Sequence, residues 1–225
     1  MTIEFYSSTP LGGLSVCGED AAVFLQGQTT CDVNGLEDKQ GSCGAFCNAK
    51  GRVITTFYLI KIENNFLLIL PNAFLGGIQE RLNRYKLRAK VNISESYLDI
   101  NTLNLPKNLP WLTPETSEEF IPQWLNLDKL GGISFTKGCY TGQEIVARTH
   151  YLGEVKRRLF LATYENKLDV IISNSLVIDE NKATVGHVLH AHEGVMQCVL
   201  NVDSQHKVLR LANSFQEILV IKEIL

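Results

Sequence analysis

From Arg52 to Ile62 the chain is apolar on both parities: Val53, Phe57 and Leu59 on one, Ile54, Tyr58, Ile60 and Ile62 on the other. Such a strand belongs inside a sheet covered on both faces. Upstream, Leu14 to Val16 reads as a short strand and Gly18-Glu19-Asp20 as a turn. The pattern then predicts a helix from Ala21 to Gln26, with Ala21, Phe24 and Leu25 on one face and Gly27 as its stop. Gln26 to Thr30 is a polar connecting loop. Gly44 to Cys47 reads as a strand and Asn48-Ala49-Lys50-Gly51 as a hairpin turn. Beyond the long strand, Glu63-Asn64-Asn65 turns into a strand from Phe66 to Leu70. Pro71 opens a helix over Asn72 to Tyr85, with Leu75, Ile78, Leu82 and Tyr85 at helical spacing. A last strand is expected over Lys86 to Ile93. The order β-α-β-β-β-α-β is ferredoxin-like with one additional hairpin strand.

Residues 94 to 135 lose this regularity. Pro106, Pro110, Pro114 and Pro122 interrupt any period, so an ordered linker is expected. Trp111 and Trp124 lie within it, either as core anchors or as stacking surfaces for a flat heterocycle. After Tyr151 short β-rich runs recur at Leu159–Thr163, Val170–Ile172, Leu176–Ile178, Thr184–Leu189, Val195–Val202, Val208–Leu211 and Ile218–Ile221. Their spacing predicts a small barrel or sandwich. The fold class is therefore α+β, with a first domain over residues 1–150 and an all-β barrel over 151–225.

Composition narrows the setting. In 225 residues, 45% are hydrophobic and 20% charged, as in an ordinary globular protein. The first residues, MTIEFYSSTP, show no basic and then apolar leader, and no apolar run reaches the ~20 residues a membrane span needs. Six cysteines without a leader point to free thiols in a reducing, cytoplasmic compartment. A net charge of -3 does not describe a surface built throughout for nucleic acid. The densest positive run is Arg81, Arg84, Lys86, Arg88 and Lys90, either a solvated face or an RNA-contacting stripe. Of His187, His190 and His192, strand alternation puts only the last two on one face, too few for a metal site. Cys43 and Cys47, four apart on a strand, are separated by roughly 13 Å, too far for a shared ion or a disulfide. No metal is expected.

The stretch richest in chemistry is Lys137-Gly138-Cys139-Tyr140-Thr141-Gly142-Gln143-Glu144. Thr141 and Glu144 ahead of Ile145, Val146 and Ala147 read as a capping box, predicting a helix from Thr141 through Arg148. A helix start and Lys137 beside Cys139 both favour a thiolate. Cys139 is then a reactive thiol or, on the plainer reading, a small residue at a tight turn.

Lys137 to Arg148, KGCYTGQEIVAR, resembles the signature of the YgfZ proteins, a branch of the folate-binding superfamily that includes the glycine-cleavage T-protein. FIPQWLNLDKLGGISF (Phe120–Phe135), CGEDAAVFLQGQTTCDV (Cys17–Val33) and GAFCNAKGRV (Gly44–Val53) are similar to the same family. The resemblance implies a T-protein-like fold with a C-terminal barrel, and a shortened lobe between residue 93 and Trp111. It also implies tetrahydrofolate or another folate as cofactor, held in a cleft bordered by the Lys50 turn with Arg52, by Trp111, and by the signature loop. From that loop Lys137, Tyr140, Gln143 and Glu144 would take part; Arg157, with Arg158, would meet the folate carboxylates. Cys139 would be the functional thiol. T-proteins carry paired aspartates where this chain has Thr55 and Thr56, and a threonine cannot supply a carboxylate. The family implies an accessory factor for iron–sulfur enzymes, including tRNA-modifying ones, acting as a monomer away from membranes. A folate-dependent aminomethyltransferase and an RNA-contacting module using Arg81 to Lys90 are the alternatives.

Overall fold

The structure is a computed structural model describing residues 9–96, 103–165, 171–213 and 217–223. The two-faced strand is β3 (Val53–Ile62), which sits between β2 (Gly41–Cys47) and β4 (Asn65–Pro71). With β1 (Leu11–Cys17) and β5 (Asn92–Ser96) they form a five-stranded antiparallel sheet of order β2-β3-β4-β1-β5. Setting β2 aside leaves the strand order of a ferredoxin-like unit, so β2 is the additional hairpin strand.

One face carries α1 (Ala21–Gln26) and α2 (Leu75–Tyr85), packed through Phe24, Leu25, Ile78 and Leu82 onto Phe57, Leu59, Leu68 and Leu70. Asn72 to Phe74 forms a 3-10 turn ahead of α2. The opposite face is covered by the irregular segment: Leu105 packs with Leu67 and Ile69, and Trp111 clusters with Cys43, Ala45 and Val53. Phe57 and Leu59 are fully buried under the helices, whereas Tyr58 and Ile60 are half-covered and Ile62 is exposed, so cover is complete on one face of β3 and partial on the other.

Two expectations fail here. Lys86 to Val91 is a turn rather than a strand. Asp20 Oδ2 accepts from the Lys90 backbone N–H at 2.7 Å, which holds the stretch over the start of α1. Leu87 is consequently 87% exposed at φ 44. Tyr85 is not on the buried face of α2; its ring lies 5.0 Å from the Arg81 guanidinium. Gly76 and Gly77 are exposed in the first turn of α2, where glycine is less favourable than alanine, by up to roughly 1 kcal/mol each.

The C-terminal strands are β6 (Arg157–Tyr164), β7 (Leu176–Ile178), β8 (Thr184–His192), β9 (Val195–Asn201), β10 (Leu209–Leu211) and β11 (Glu217–Glu223). They close into a barrel of order β10-β11-β6-β9-β8-β7, completed by pairing of β7 with β10. Of the expected run Val170–Ile172, Val170 lies outside the described residues and Ile171–Ile172 is not strand. Strand alternation divides β6 between two cores. Phe160 and Ala162 face Met196, Cys198 and Leu200 inside the barrel, whereas Leu159 and Leu161 join the Trp111 cluster.

Sheet and barrel are thus joined through the irregular segment, and polar groups fix the joint. Asn126, at φ 57 and buried, donates to Leu159 O at 2.9 Å and accepts from Leu159 N–H at 3.2 Å. Arg158 meets Asp128 at 2.6 Å and donates to Gln123 O at 2.9 Å, both charged side chains being largely buried. Asn126→Ala leaves both Leu159 backbone groups short of a partner. It should cost about 2–4 kcal/mol in urea unfolding. A loss under about 1 kcal/mol would show that water replaces the amide.

Candidate functional site

The signature loop is seated on the β2–β3 hairpin. Asn48 Oδ1 accepts from the backbone of Lys50 (2.9 Å) and Arg52 (3.0 Å), and Gly51 N–H donates to Asn48 O at 3.0 Å. This Asx-stabilised turn places Gly51 at φ +69 directly against Gly142 at φ +84. A Cβ on Gly142 would sit 2.5 Å from Asn48 O and 2.9 Å from Gly51 Cα. A Cβ on Gly51 would sit 2.9 Å from Ile145 Cβ. Two glycines are therefore required by backbone-on-backbone contact and by left-handed φ at once.

Helix α3 (Gln143–Leu152) starts from this contact with Gly142 as N-cap and no side-chain cap. The capping box expected at Thr141 does not form. Glu144 pairs instead with Arg148 along the helix at 3.1 Å, because the left-handed Gly142 sets the helix start.

Upstream of Gly142 the loop is held by its lysine. Lys137 Nζ donates to Thr29 O and Cys31 O, both at 2.7 Å, and lies 5.0 Å from the centre of the Tyr140 ring. Ser134 N–H donates to Thr30 O, and Thr30 Oγ1 bridges Gly132 O and Ala45 N–H. The polar Gln26–Thr30 loop, expected to be a connector, is the dock for this segment. Lys137 is accordingly directed at two carbonyls, and the carbonyls, lacking a charge of their own, were invisible to pattern reading. Tyr140 is buried, and Cys139 between it and Gly138 is exposed. Of the other five cysteines, Cys17 is half-buried and Cys31, Cys43, Cys47 and Cys198 are buried. All six are free thiols.

A cavity of about 590 Å³ opens beside the hairpin turn, lined by Asn48, Ala49, Lys50, Arg52, Glu118 and Glu119. Arg52 donates to Glu119 O at 2.6 Å and lies 5.3 Å from the Trp124 ring, which Arg157 approaches at 4.9 Å. Lys50 and Arg52 can hold a carboxylate here, and Glu118 and Glu119 can accept from N–H donors. The expected aromatic plate is absent from this cavity. Trp111 is 1% exposed in the core between sheet and barrel, with its indole N–H lacking a protein acceptor. The indole near the cations is Trp124. Arg158 is committed to Asp128, and Arg157, which donates to Asn201 Oδ1 at 3.1 Å, lies against Trp124 and does not line the cavity. Gln143 and Glu144 fall on the first turn of α3 and do not line the cavity.

Thr55 and Thr56 are buried with their hydroxyls engaged, Thr55 on Thr56 O at 3.1 Å and Thr56 on Pro110 O at 2.5 Å. The basic stripe is broken by its own contacts. Arg81 donates to Cys47 O at 3.1 Å, Arg84 pairs with Glu80 at 2.7 Å and Lys90 with Glu19 at 2.7 Å. His187 bonds Asn174 Oδ1 at 2.9 Å. Among the described residues no three His, Cys, Asp or Glu side chains are placed to hold a metal ion, and no helix is long and apolar enough to cross a membrane.

Two opposed pH dependences follow. Burial raises the thiols of Cys31, Cys43, Cys47 and Cys198, the last three to about 12. Unfolded thiols ionise near 8.5, so the stability these groups contribute is full below about pH 8.5 and is lost as pH rises. Lys137 runs the other way. Burial lowers it to about 8, against the opposing pull of Cys31 and Asp32. From there up to about 10.4 the unfolded chain holds a proton that the native state lacks, so this residue's contribution increases with pH. Urea unfolding should show native stability falling above about pH 8.5. Lys137→Met should fall more steeply, so that the gap between the two proteins widens from pH 8 to about 10.4. A gap independent of pH would mean that the Lys137 ammonium is as well solvated in the fold as in the unfolded chain.

No family model matches the chain. A tRNA-modifying protein YgfZ of Colwellia psychrerythraea is 30% identical, the match covering 90% of this chain and 86% of the relative. That alignment runs over 282 positions, more than this chain has residues, so the relative carries stretches lacking here. An uncharacterised protein of Haemophilus influenzae is 31% identical over 94% of each chain. A tRNA-modifying protein YgfZ of Vibrio atlanticus is 26% identical over 80% of this chain and 77% of its own. Among solved structures, the glycine cleavage system aminomethyltransferase T of Bartonella henselae superposes with a TM-score of 0.72 at 11% identity, covering 93% of this chain and 82% of that one. The fold is T-protein-like. With the signature loop, its hairpin seat and these relatives taken together, the chain belongs to the YgfZ family.

Proposed function

We propose that the protein is a folate-binding accessory factor that supports iron–sulfur enzymes, tRNA-modifying ones among them, through the thiol of Cys139. The observation that carries this reading is the contrast within the signature loop. Lys137, Tyr140 and Gly142 are each fixed to the body of the protein, while Cys139 alone among the six cysteines is exposed. A thiol on an anchored loop is suited to meet a partner macromolecule, and sulfur is the donor that iron–sulfur chemistry uses. The name of the relatives supports the connection with tRNA modification. The T-protein-like fold and the Lys50–Arg52 cavity support folate, with the two cations as partners of its glutamate carboxylates.

Aminomethyl transfer is the less favoured reading. It requires a carboxylate at the folate nitrogen, and Thr55 and Thr56 offer hydroxyls already bonded to backbone carbonyls. An RNA-contacting role for Arg81 to Lys90 is weakened by the ion pairs of Arg84 and Lys90.

Calorimetry with tetrahydrofolate should show binding that Lys50→Ala with Arg52→Ala weakens about tenfold or more, since each lost charge-assisted bond contributes roughly 1.5–3 kcal/mol. Absence of binding up to millimolar folate would reject the cofactor. Cys139→Ser should abolish support of a reconstituted iron–sulfur tRNA-modifying enzyme. Its unfolding free energy should stay within about 1 kcal/mol of native, as for an exposed site. Retained support would remove Cys139 from the function.

A further inference from the structure

The helix-covered side of the sheet holds a second cavity that the reading above does not use. It measures about 310 Å³ and is lined chiefly by Ile54, Phe74, Gly77, Ile78, Arg81 and Tyr85. We propose that this cleft binds a small aryl carboxylate, its ring lying over Gly77 and its carboxylate held by Arg81.

Three independent features meet here. The first is the lining. Ile54, Phe74 and Ile78 give an apolar floor, Tyr85 supplies a half-exposed ring, and the cation stands to one side. That is the composition of a site for an amphiphilic organic anion, and the volume is at the small end of ligand pockets.

The second is Arg81 itself. Its guanidinium is oriented by donation to Cys47 O at 3.1 Å and by the Tyr85 ring at 5.0 Å. Its Nε–H is shielded from water and has no acceptor in the protein. Buried donors are nearly always satisfied, so an acceptor in the cleft that drew the guanidinium outward would relieve this unpaired group. A planar carboxylate matches the fork of a guanidinium. Glu80, the acidic group at the rim, is paired with Arg84 at 2.7 Å, which offsets its repulsion.

The third is the pair Gly76-Gly77. Glycine is unfavourable inside a helix, and a Cβ added at either position would meet nothing within 4 Å. Packing inside the chain therefore gives no reason for them. A flat ligand approaching the helix backbone does for Gly77, which lines the cleft.

The test uses the full-length protein, isotope-labelled for amide NMR, with benzoate as probe. Benzoate should bind with a Kd on the order of 1 mM, as befits a ligand of this size. Its shifts should be confined to the amides of Ile54 and Phe74 to Tyr85. Uncharged benzamide should bind at least tenfold more weakly. Gly77→Leu, a change to a better helix former that fills the cleft, should abolish binding, while Gly77→Ala should raise the melting temperature and keep binding within threefold. Equal binding of benzamide, or benzoate binding that survives Gly77→Leu, would overturn the proposal. So would displacement of benzoate by equimolar tetrahydrofolate, which would assign the cleft to folate. A response to oligouridylate at Arg84, Lys86 and Arg88 with none to benzoate would assign this surface to RNA instead.

Discussion

The contact between Gly51 and Gly142 is the constraint on which the site rests. It brings two backbone segments closer than any pair of side-chain-bearing residues allows, and both glycines occupy left-handed φ. The hairpin turn, closed by the Asn48 side chain, is the template, and Gly142 converts a loop into the first turn of α3 against it. Upstream of that point the loop is held at the segment after α1, where Lys137 donates to the carbonyl oxygens of Thr29 and Cys31. With both ends fixed and Tyr140 buried, Cys139 is left facing outward.

The joint between sheet and barrel follows a different rule. Its centre is apolar, built on Trp111, Phe120, Leu125, Leu159 and Val199. Its alignment comes from polar groups: Asn126 on Leu159, Arg158 on Asp128, and Gln123 donating to Val146 O at 2.6 Å. The Gln123 bond reaches α3 from the same segment, so the linker, the signature helix and the barrel share one set of contacts. A buried ion pair contributes little net stability but tolerates few alternative geometries. That suits a segment of irregular backbone which must hold a loop in register.

Much of this was legible in the chain. Helix α1 and strand β7 fall on their expected residues, and the two-faced pattern of β3 correctly implied cover on both sides. What failed did so where a distant partner decided the outcome. Lys86 to Val91 alternates like a strand, yet Asp20, some 70 residues away, bonds Lys90 and bends it into a turn. Thr141 and Glu144 have the spacing of a capping box, but the Gly51 contact moves the N-cap to Gly142, and the helix runs Gln143–Leu152 rather than Thr141–Arg148. Trp111 was readable as an anchor or as a plate, and the anchor is what formed. The direction of Lys137 was not readable at all, because its partners are carbonyls that every residue possesses.

The proposed function requires Cys139 to face outward while its neighbours are fixed, and cysteine alkylation of the native protein followed by mass spectrometry measures this. Iodoacetamide at neutral pH should modify Cys139 first. Cys31, Cys43, Cys47 and Cys198 should react only as fast as the protein unfolds, with Cys17 between the two groups. If Cys139 reacts no faster than the buried four, the signature loop folds its cysteine inward. The thiol-centred function proposed above would then be contradicted.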